Sequence, residues 1–282
     1  MVPALSPSRA ADFMQCPLLY RFRVVDKLPE PATAAMARGT LVHAVLERLF
    51  DLPAAQRTRG AAGDLLPGQW TRIVADRPEL AELVDGSDPT QTQVWFDEAL
   101  RLLERWFTLE DPTRLEPAER ELYVETEIDG LTLRGYVDRL DVAPDGRMRV
   151  VDYKTGKAPS ELFEAKALFQ MKFYALVLWR LHGRVPTRLQ LVYLGSGEVL
   201  VYEPDEHDLR AVERKIRALW AAIEQAATAG DFRPSPSRLC DWCRHRDLCP
   251  AWGGTPPPLP ADAALLALDP REGGRPADDE SE

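Results

Sequence analysis

The sequence predicts an α/β fold, a mixed central sheet flanked by helices, and three observations carry that prediction. Residues 122–154 hold three runs with strand-like alternation, and two more short apolar runs follow near 189–202. Long helical patterns bracket and separate these runs, at about 34–50, 160–182 and 205–229. The resulting order of helix, three strands, helix, two strands, helix suits a sheet with helices packed on it.

The elements follow in order. Ser6-Pro7 reads as an N-cap followed by proline at the first helical position, and Pro17 after Cys16 predicts where that helix ends. A helix over about 34–50 places Leu41, Val42, Val45, Leu46 and Leu49 on one apolar face. Residues 51–116 read as mostly helical, broken by Pro and Gly, and carry no recognisable motif. Strands are expected over 122–128, 131–142 and 148–154, with Pro144-Asp145-Gly146 supplying turn residues between the last two. The chain after Trp252 is rich in Pro, Gly, Ala and acid, which predicts disorder over 253–282.

Composition narrows the function. The chain has 282 residues, of which 45% are hydrophobic and 28% charged, ordinary values for a globular protein. No apolar run approaches the ~18 residues of a membrane helix, and the start Met1-Val2-Pro3-Ala4-Leu5 has no basic, apolar secretory pattern. The expectation is a cytoplasmic protein. A net charge of −10 speaks against nucleic acid until it is divided. Residues 70–130 carry −10 and 253–282 carry −5, whereas 1–69 carry +2 and 131–252 carry +3. The motif-bearing segments are slightly basic, so a DNA-binding face is permitted.

Two carboxylates make the central chemical expectation. If Val142 pairs with Met148, paired positions sum to 290 and Asp138 lies opposite Asp152 on one face. Lys154, two residues on, shares that face. Facing carboxylates in an apolar hairpin repel unless a cation lies between them, and a hard divalent ion such as Mg²⁺ suits oxygen ligands. Lysine is scarce, 6 against 29 arginines, yet occupies this position. An amine can approach neutrality when buried beside a metal and a guanidinium cannot. A tight two-residue turn at Asp145-Gly146 would instead make the sum 291 and send the aspartates to opposite faces. The plain alternative is two surface aspartates paired with Arg139 and Lys154. His43 stands in the second helix with Glu47 one turn on, and Gln170 and Tyr174 are a polar intrusion in an apolar helix.

The four cysteines, at 16, 240, 243 and 249, are too few to staple a chain of this size. Cys240-x-x-Cys243 followed by Cys249 suggests metal ligation, by zinc or by an iron-sulfur cluster.

In order, Gly39-Thr40-Leu41-Val42-His43, Gly135-Tyr136-Val137-Asp138-Arg139, Val151-Asp152-Tyr153-Lys154-Thr155-Gly156 and Gln170-Met171-Lys172-Phe173-Tyr174 resemble the RecB-type exonuclease branch of the PD-(D/E)XK nucleases. The resemblance spans about 5–252. It implies a restriction-endonuclease-like core in one nuclease domain over 1–252: amino-terminal helices to 50, a helical insertion over 51–116, a catalytic core over 117–230 and a cysteine segment over 231–252. It implies that His43, Asp138, Asp152 and the carbonyl of Tyr153 bind Mg²⁺ or Mn²⁺, that Lys154 positions the attacking water, and that Gln170 and Tyr174 contact substrate. Glu47 is implied behind these ligands. The cysteine pattern is similar to the iron-sulfur subgroup, which includes CRISPR-associated adaptation nucleases and the AddB nuclease subunit. That favours a four-iron four-sulfur cluster joining the two ends of the fold, with zinc as the alternative. The implied function is a metal-dependent DNA exonuclease acting at ends or on single strands, in repair or recombination. A DNA-end clamp that does not cut is the other reading. No Gly-x-x-x-x-Gly-Lys-Ser/Thr phosphate loop is present, since Gly156-Lys157-Ala158 lacks its partners. Any helicase would therefore come from a partner.

Overall fold

The computed structural model describes residues 3–84, 89–158 and 161–268, and the side chains of 161–164 are outside that description. The elements are β1 (Ala4–Leu5), α1 (Pro7–Gln15), α2 (Pro17–Tyr20), α3 (Ala34–Leu49), α4 (Arg59–Asp76), α5 (Pro89–Leu109), β2 (Glu119–Ile128), β3 (Leu131–Val142), β4 (Met148–Lys154), α6 (Glu161–His182), β5 (Arg188–Tyr193), β6 (Glu198–Tyr202), α7 (Glu206–Ala229) and α8 (Ala263–Leu268).

The sheet runs β1-β3-β4-β5-β6, with β2 on the other edge of β3. β1–β3 and β4–β5 are parallel; β2–β3, β3–β4 and β5–β6 are antiparallel. It is a mixed sheet, as expected. β3 is long enough to take β1 at Thr132–Leu133 and β4 at Arg139–Val142. Between those contacts β3 has no neighbour on that side, and the site lies there.

The β3–β4 register is the one that sums to 290, with Val142 opposite Met148 and Arg139 opposite Val151. The turn fixes it. Ala143 N–H bonds the carbonyl of Arg147 at 2.9 Å, closing a three-residue loop in which Gly146 takes φ 81°. Glycine holds that left-handed position without a Cβ clash, so no two-residue turn forms.

Helices cover both faces. On one, α3, α4 and α5 bury Leu41, Val45, Leu49, Leu103 and Trp106 against Val151, Tyr153 and Val192 of the sheet. On the other, α1, α6 and α7 bury Phe13, Phe173, Leu176 and Trp220 against Val150, Leu189 and Leu191. Both the first and third helices start as their sequences dictate: Ser6 Oγ accepts from Arg9 N–H, and Thr33 caps α3 through Met36 N–H.

The tail departs from expectation. Residues 253–268 were expected to be disordered, but α8 buries Ala263 and Ala267, and the Ala267 carbonyl accepts from the Tyr20 hydroxyl at 2.5 Å. Small apolar residues let this short helix sit close to α7 and the amino-terminal segment, which outweighs its Pro- and Gly-rich approach. The rest of the expected tail, 269–282, lies outside the described residues. Strand β1 was not foreseen, because two residues carry no periodicity.

Candidate active site and cysteine cavity

The site forms where backbone pairing lapses around Asp138. β2 and β3 are paired at Arg120–Arg139 and Leu122–Val137, but not at Glu121–Asp138 between them. β3 and β4 are paired up to Arg139–Val151 and then part. Glu121 holds φ 45°, a left-handed conformation that costs a side-chain-bearing residue roughly 1–2 kcal/mol. Strain of this kind concentrates at functional positions.

That distortion brings three side chains together. His43 Nδ1 lies 3.6 Å from Asp138 Oδ2 and 3.9 Å from Glu121 Oε1. The ligand atoms of His43, Glu121 and Asp138 all fall within 4.8 Å of one another. His43 Nε2 is 3.0 Å from the Tyr153 carbonyl oxygen, and Tyr153 N–H donates to Asp138 Oδ2 at 2.7 Å. Packing sets His43 in place. A Cβ on Gly39 would stand 3.2 Å from Thr155 Oγ1, so α3 passes close to the end of β4 one turn before the histidine. A void of about 10 Å³ is lined by His43, Glu47, Glu121, Asp138 and Tyr153 among others.

Asp152 and Lys154 form a second, adjoining group. Asp152 is buried; its Oδ1 accepts from Gln170 Nε2 at 3.2 Å, and its Oδ2 lies 2.6 Å from Lys154 Nζ. That ion pair is close in distance but lacks hydrogen-bond geometry, so Oδ2 is buried without a directed donor. Gln170 Oε1 accepts from Lys154 Nζ at 3.1 Å, and Gln170 Nε2 donates to the Tyr174 hydroxyl at 3.3 Å. The ring of Tyr174 lies on Gly135, where a Cβ would come within 2.6 Å of its Cε1. Glycine is required there.

The electrostatics are those of a site short of positive charge. Burial and the neighbouring charge of Asp152 push the Asp138 carboxyl up to about 7, although His43 opposes them. Burial works against a charged His43, but Asp138, Glu121 and Asp152 outweigh it and raise the imidazole to about 9. Burial likewise works against the Lys154 ammonium, and Asp152 more than offsets it, so the amine is raised and stays charged.

Of the residues expected from sequence, His43, Asp138 and the Tyr153 carbonyl come together, and Asp152, Lys154, Gln170 and Tyr174 form a connected set beside them. Asp152 is not in the tight ligand group; Glu121 is. Glu121 was missed because its side chain enters through a left-handed kink, which no alternation pattern reveals. Arg139, considered as a partner for the aspartates, alternates to the other face of β3, although it also lines the small void beside His43 and Asp138. It is 1% exposed and pairs with Glu110 at 2.7 Å. Glu47 lines the small void, and its backbone carbonyl accepts from Arg120 at 2.6 Å.

The site opens into a cleft of about 1080 Å³. Among the described residues, Arg9, Arg23, Arg134, Lys154, Lys157 and Lys166 line it, against one lining carboxylate, Asp12. The net charge of −10 therefore hides a locally basic groove, and the surplus acid lies elsewhere.

The four cysteines line one cavity of about 30 Å³, together with Leu18, Phe22 and His245. Ser235 N–H donates to Cys16 Sγ and Ser237 N–H to Cys240 Sγ, both at 3.3 Å. Burial raises the Cys243 thiol, and the other three cysteines add to the shift. Among the described residues, no three of these sulfurs stand within 4.8 Å of one another. No helix among the described residues is long and apolar enough to cross a membrane.

Comparisons with known proteins agree with this architecture. The chain is 27% identical to the Gene 69 protein of Mycobacterium phage D29 and 24% identical to that of Mycobacterium phage L5, each match covering 89% of this chain and 98% of the relative. The fold is similar to that of a presumed exonuclease from Eubacterium rectale, with a TM-score of 0.55 at 13% identity over 86% of this chain and 88% of that one. The model of the PD-(D/E)XK nuclease superfamily matches residues 4–250, from β1 through the last cysteine. The chain belongs to the PD-(D/E)XK nuclease superfamily.

Proposed function

We propose that this chain is a divalent-metal-dependent deoxyribonuclease of the RecB-type exonuclease branch, hydrolysing phosphodiester bonds at DNA ends or in single strands. The observation that carries the proposal is the His43–Glu121–Asp138 group, with the Asp152–Lys154 pair beside it, opening onto a basic cleft. The donor set fits a divalent ion: two carboxylates and an imidazole within reach of one another, a buried Asp152 oxygen lacking a directed donor, and an atom-sized void. Carboxylate oxygens suit Mg²⁺ and Mn²⁺, and the imidazole tilts the set toward Mn²⁺. His43, Glu121, Asp138 and the Tyr153 carbonyl would hold the ion, with Asp152 completing the set. When bound, it polarises the phosphate, lowers the pKa of its water and stabilises the leaving oxygen.

The remaining steps belong to the chain itself. Lys154 presents its ammonium donors to the attacking water and the phosphate. Gln170 holds both Lys154 and Asp152, fixing their relative placement. Tyr174, wedged on Gly135, anchors Gln170. The basic cleft draws in the phosphate backbone. Work in DNA repair or recombination, with unwinding supplied in trans, is part of this reading.

The test is cleavage of labelled linear single- and double-stranded DNA with Mg²⁺ or Mn²⁺. Asp152→Ala and Lys154→Ala should each lose at least about 100-fold in rate. Equal cutting by wild type and both variants refutes the site. Metal-dependent DNA binding without cutting by folded wild type supports the clamp.

For the cysteines we propose a four-iron four-sulfur cluster that ties the amino-terminal helices to residues 231–252. What supports a single shared group is that all four cysteines line one cavity. Anaerobically purified protein should be brown and contain iron. A colourless, zinc-loaded protein overturns the cluster.

A further inference from the structure

We propose that Tyr123 and Tyr136 form a base-stacking ledge that selects single-stranded substrate at this site; this rests on the reading of the cleft as a nucleic-acid channel. The two residues are direct cross-strand partners on β2 and β3, with ring centroids 5.2 Å apart, and both line the cleft. They stand next in line to the metal-ligand candidates. Side chains two apart on a strand share a face and lie about 7 Å along it, so Tyr123–Tyr136 and Glu125–Arg134 form two successive rungs on one face, and Asp138 lies one step before Tyr136 on the same face of β3.

Function explains the rings better than packing does. Tyr123 is 44% exposed, unusual for a large aromatic on a sheet with two cores. Its hydroxyl donates to Glu125, which tethers the far end of the ring and leaves the body at the cleft. Arg134 lines the cleft at the next rung, where a phosphate would pass. An aromatic face can stack only on a base whose own face is uncovered. Duplex bases are covered by their neighbours at 3.4 Å, whereas single-strand bases are free to stack, whatever their sequence. The ledge thus holds an unstacked base about one nucleotide from the phosphate under attack.

Binding reads this directly. Fluorescent oligothymidylate and an abasic strand of equal length are titrated without divalent metal, at one fixed salt concentration, so cleavage plays no part. Wild type should bind the base-bearing strand roughly tenfold more tightly. Tyr123→Ala and Tyr136→Ala should lose that preference while binding the abasic strand as before, and Tyr123→Trp should keep it. Equal wild-type binding to both strands, or alanine variants that retain the preference, overturns the ledge. Cleavage of the same strands with Mn²⁺ separates the two proposals: cutting without base preference sinks the ledge alone, and base preference without cutting sinks the nuclease reading alone.

Discussion

The two faces of β3 and β4 carry similar residues and opposite electrostatics. Behind the sheet, Arg139 is buried yet fully answered. Its guanidinium donates to both oxygens of Glu110, at 2.9 and 2.7 Å, to Asp141 and to the Tyr153 hydroxyl. Glu110 also accepts from Trp106 Nε1 at 2.7 Å and Gln190 Nε2 at 3.2 Å. Within the candidate metal group and the pair beside it, at the head of the cleft, Asp138, Glu121 and Asp152 outnumber the cations His43 and Lys154. A buried network whose charges balance is structural, whereas buried carboxylates in excess of their cations call for a further positive charge. The contrast also gives residues 51–116 a role. Through Glu110 and Trp106 they buttress the strands that carry Asp138 and Tyr153.

Substitutions on the two faces should therefore separate. On the cleft side, Asp152→Asn should slow cleavage by at least about 100-fold at a smaller cost in thermal stability, because the like-charge repulsion it relieves offsets the ion pair with Lys154 that it loses. Behind the sheet, Glu110→Ala strands Arg139 without its main partner and should cost about 3–5 kcal/mol, lowering Tm by roughly 10 °C. Equal stability loss from both would erase the distinction. Gly135→Ala, which drives a methyl into Tyr174, should cost about 1–3 kcal/mol and also slow cleavage, since Tyr174 supports Gln170.

Stability against pH sharpens the comparison. Asp138 is raised from 3.8 to about 7 and His43 from 6.5 to about 9, so both hold protons more tightly when folded. Each contributes stability that is lost as pH rises through its folded value. Metal-free protein should therefore melt lower at pH 9 than at pH 6, and Mn²⁺ should raise Tm more at pH 9. A flat profile in both conditions would contradict the surplus of negative charge. The smallest effect is expected of Glu121→Gly, which should relieve the left-handed strain and stabilise metal-free protein by about 1 kcal/mol while weakening Mn²⁺ binding.

Part of this arrangement was legible in the sequence, which offered two hairpin registers and left the choice between them open. Gly146 sets the hairpin length, the hairpin length sets the register, and the register places Asp138 and Asp152 on one side. Gly39 and Gly135 stood in the expected motifs, and each proved to sit where a helix or ring approaches closely. What stayed hidden depends on tertiary contact. Glu121 enters through a backbone kink, Arg139 turns away to meet Glu110, 29 positions earlier, and α8 docks through two buried alanines. None of these leaves a periodic trace.

Calorimetric titration of Mn²⁺ into metal-free protein near pH 7.5, repeated in two buffers of different ionisation enthalpy, probes the cleft-side group most directly. Ligands must shed their protons to bind, so wild type should take up the ion with proton release, chiefly from His43, and Asp138→Asn should bind far more weakly. Mn²⁺ uptake that releases no protons, or that survives Asp138→Asn undiminished, would show that the ion sits elsewhere and that these side chains are not its site.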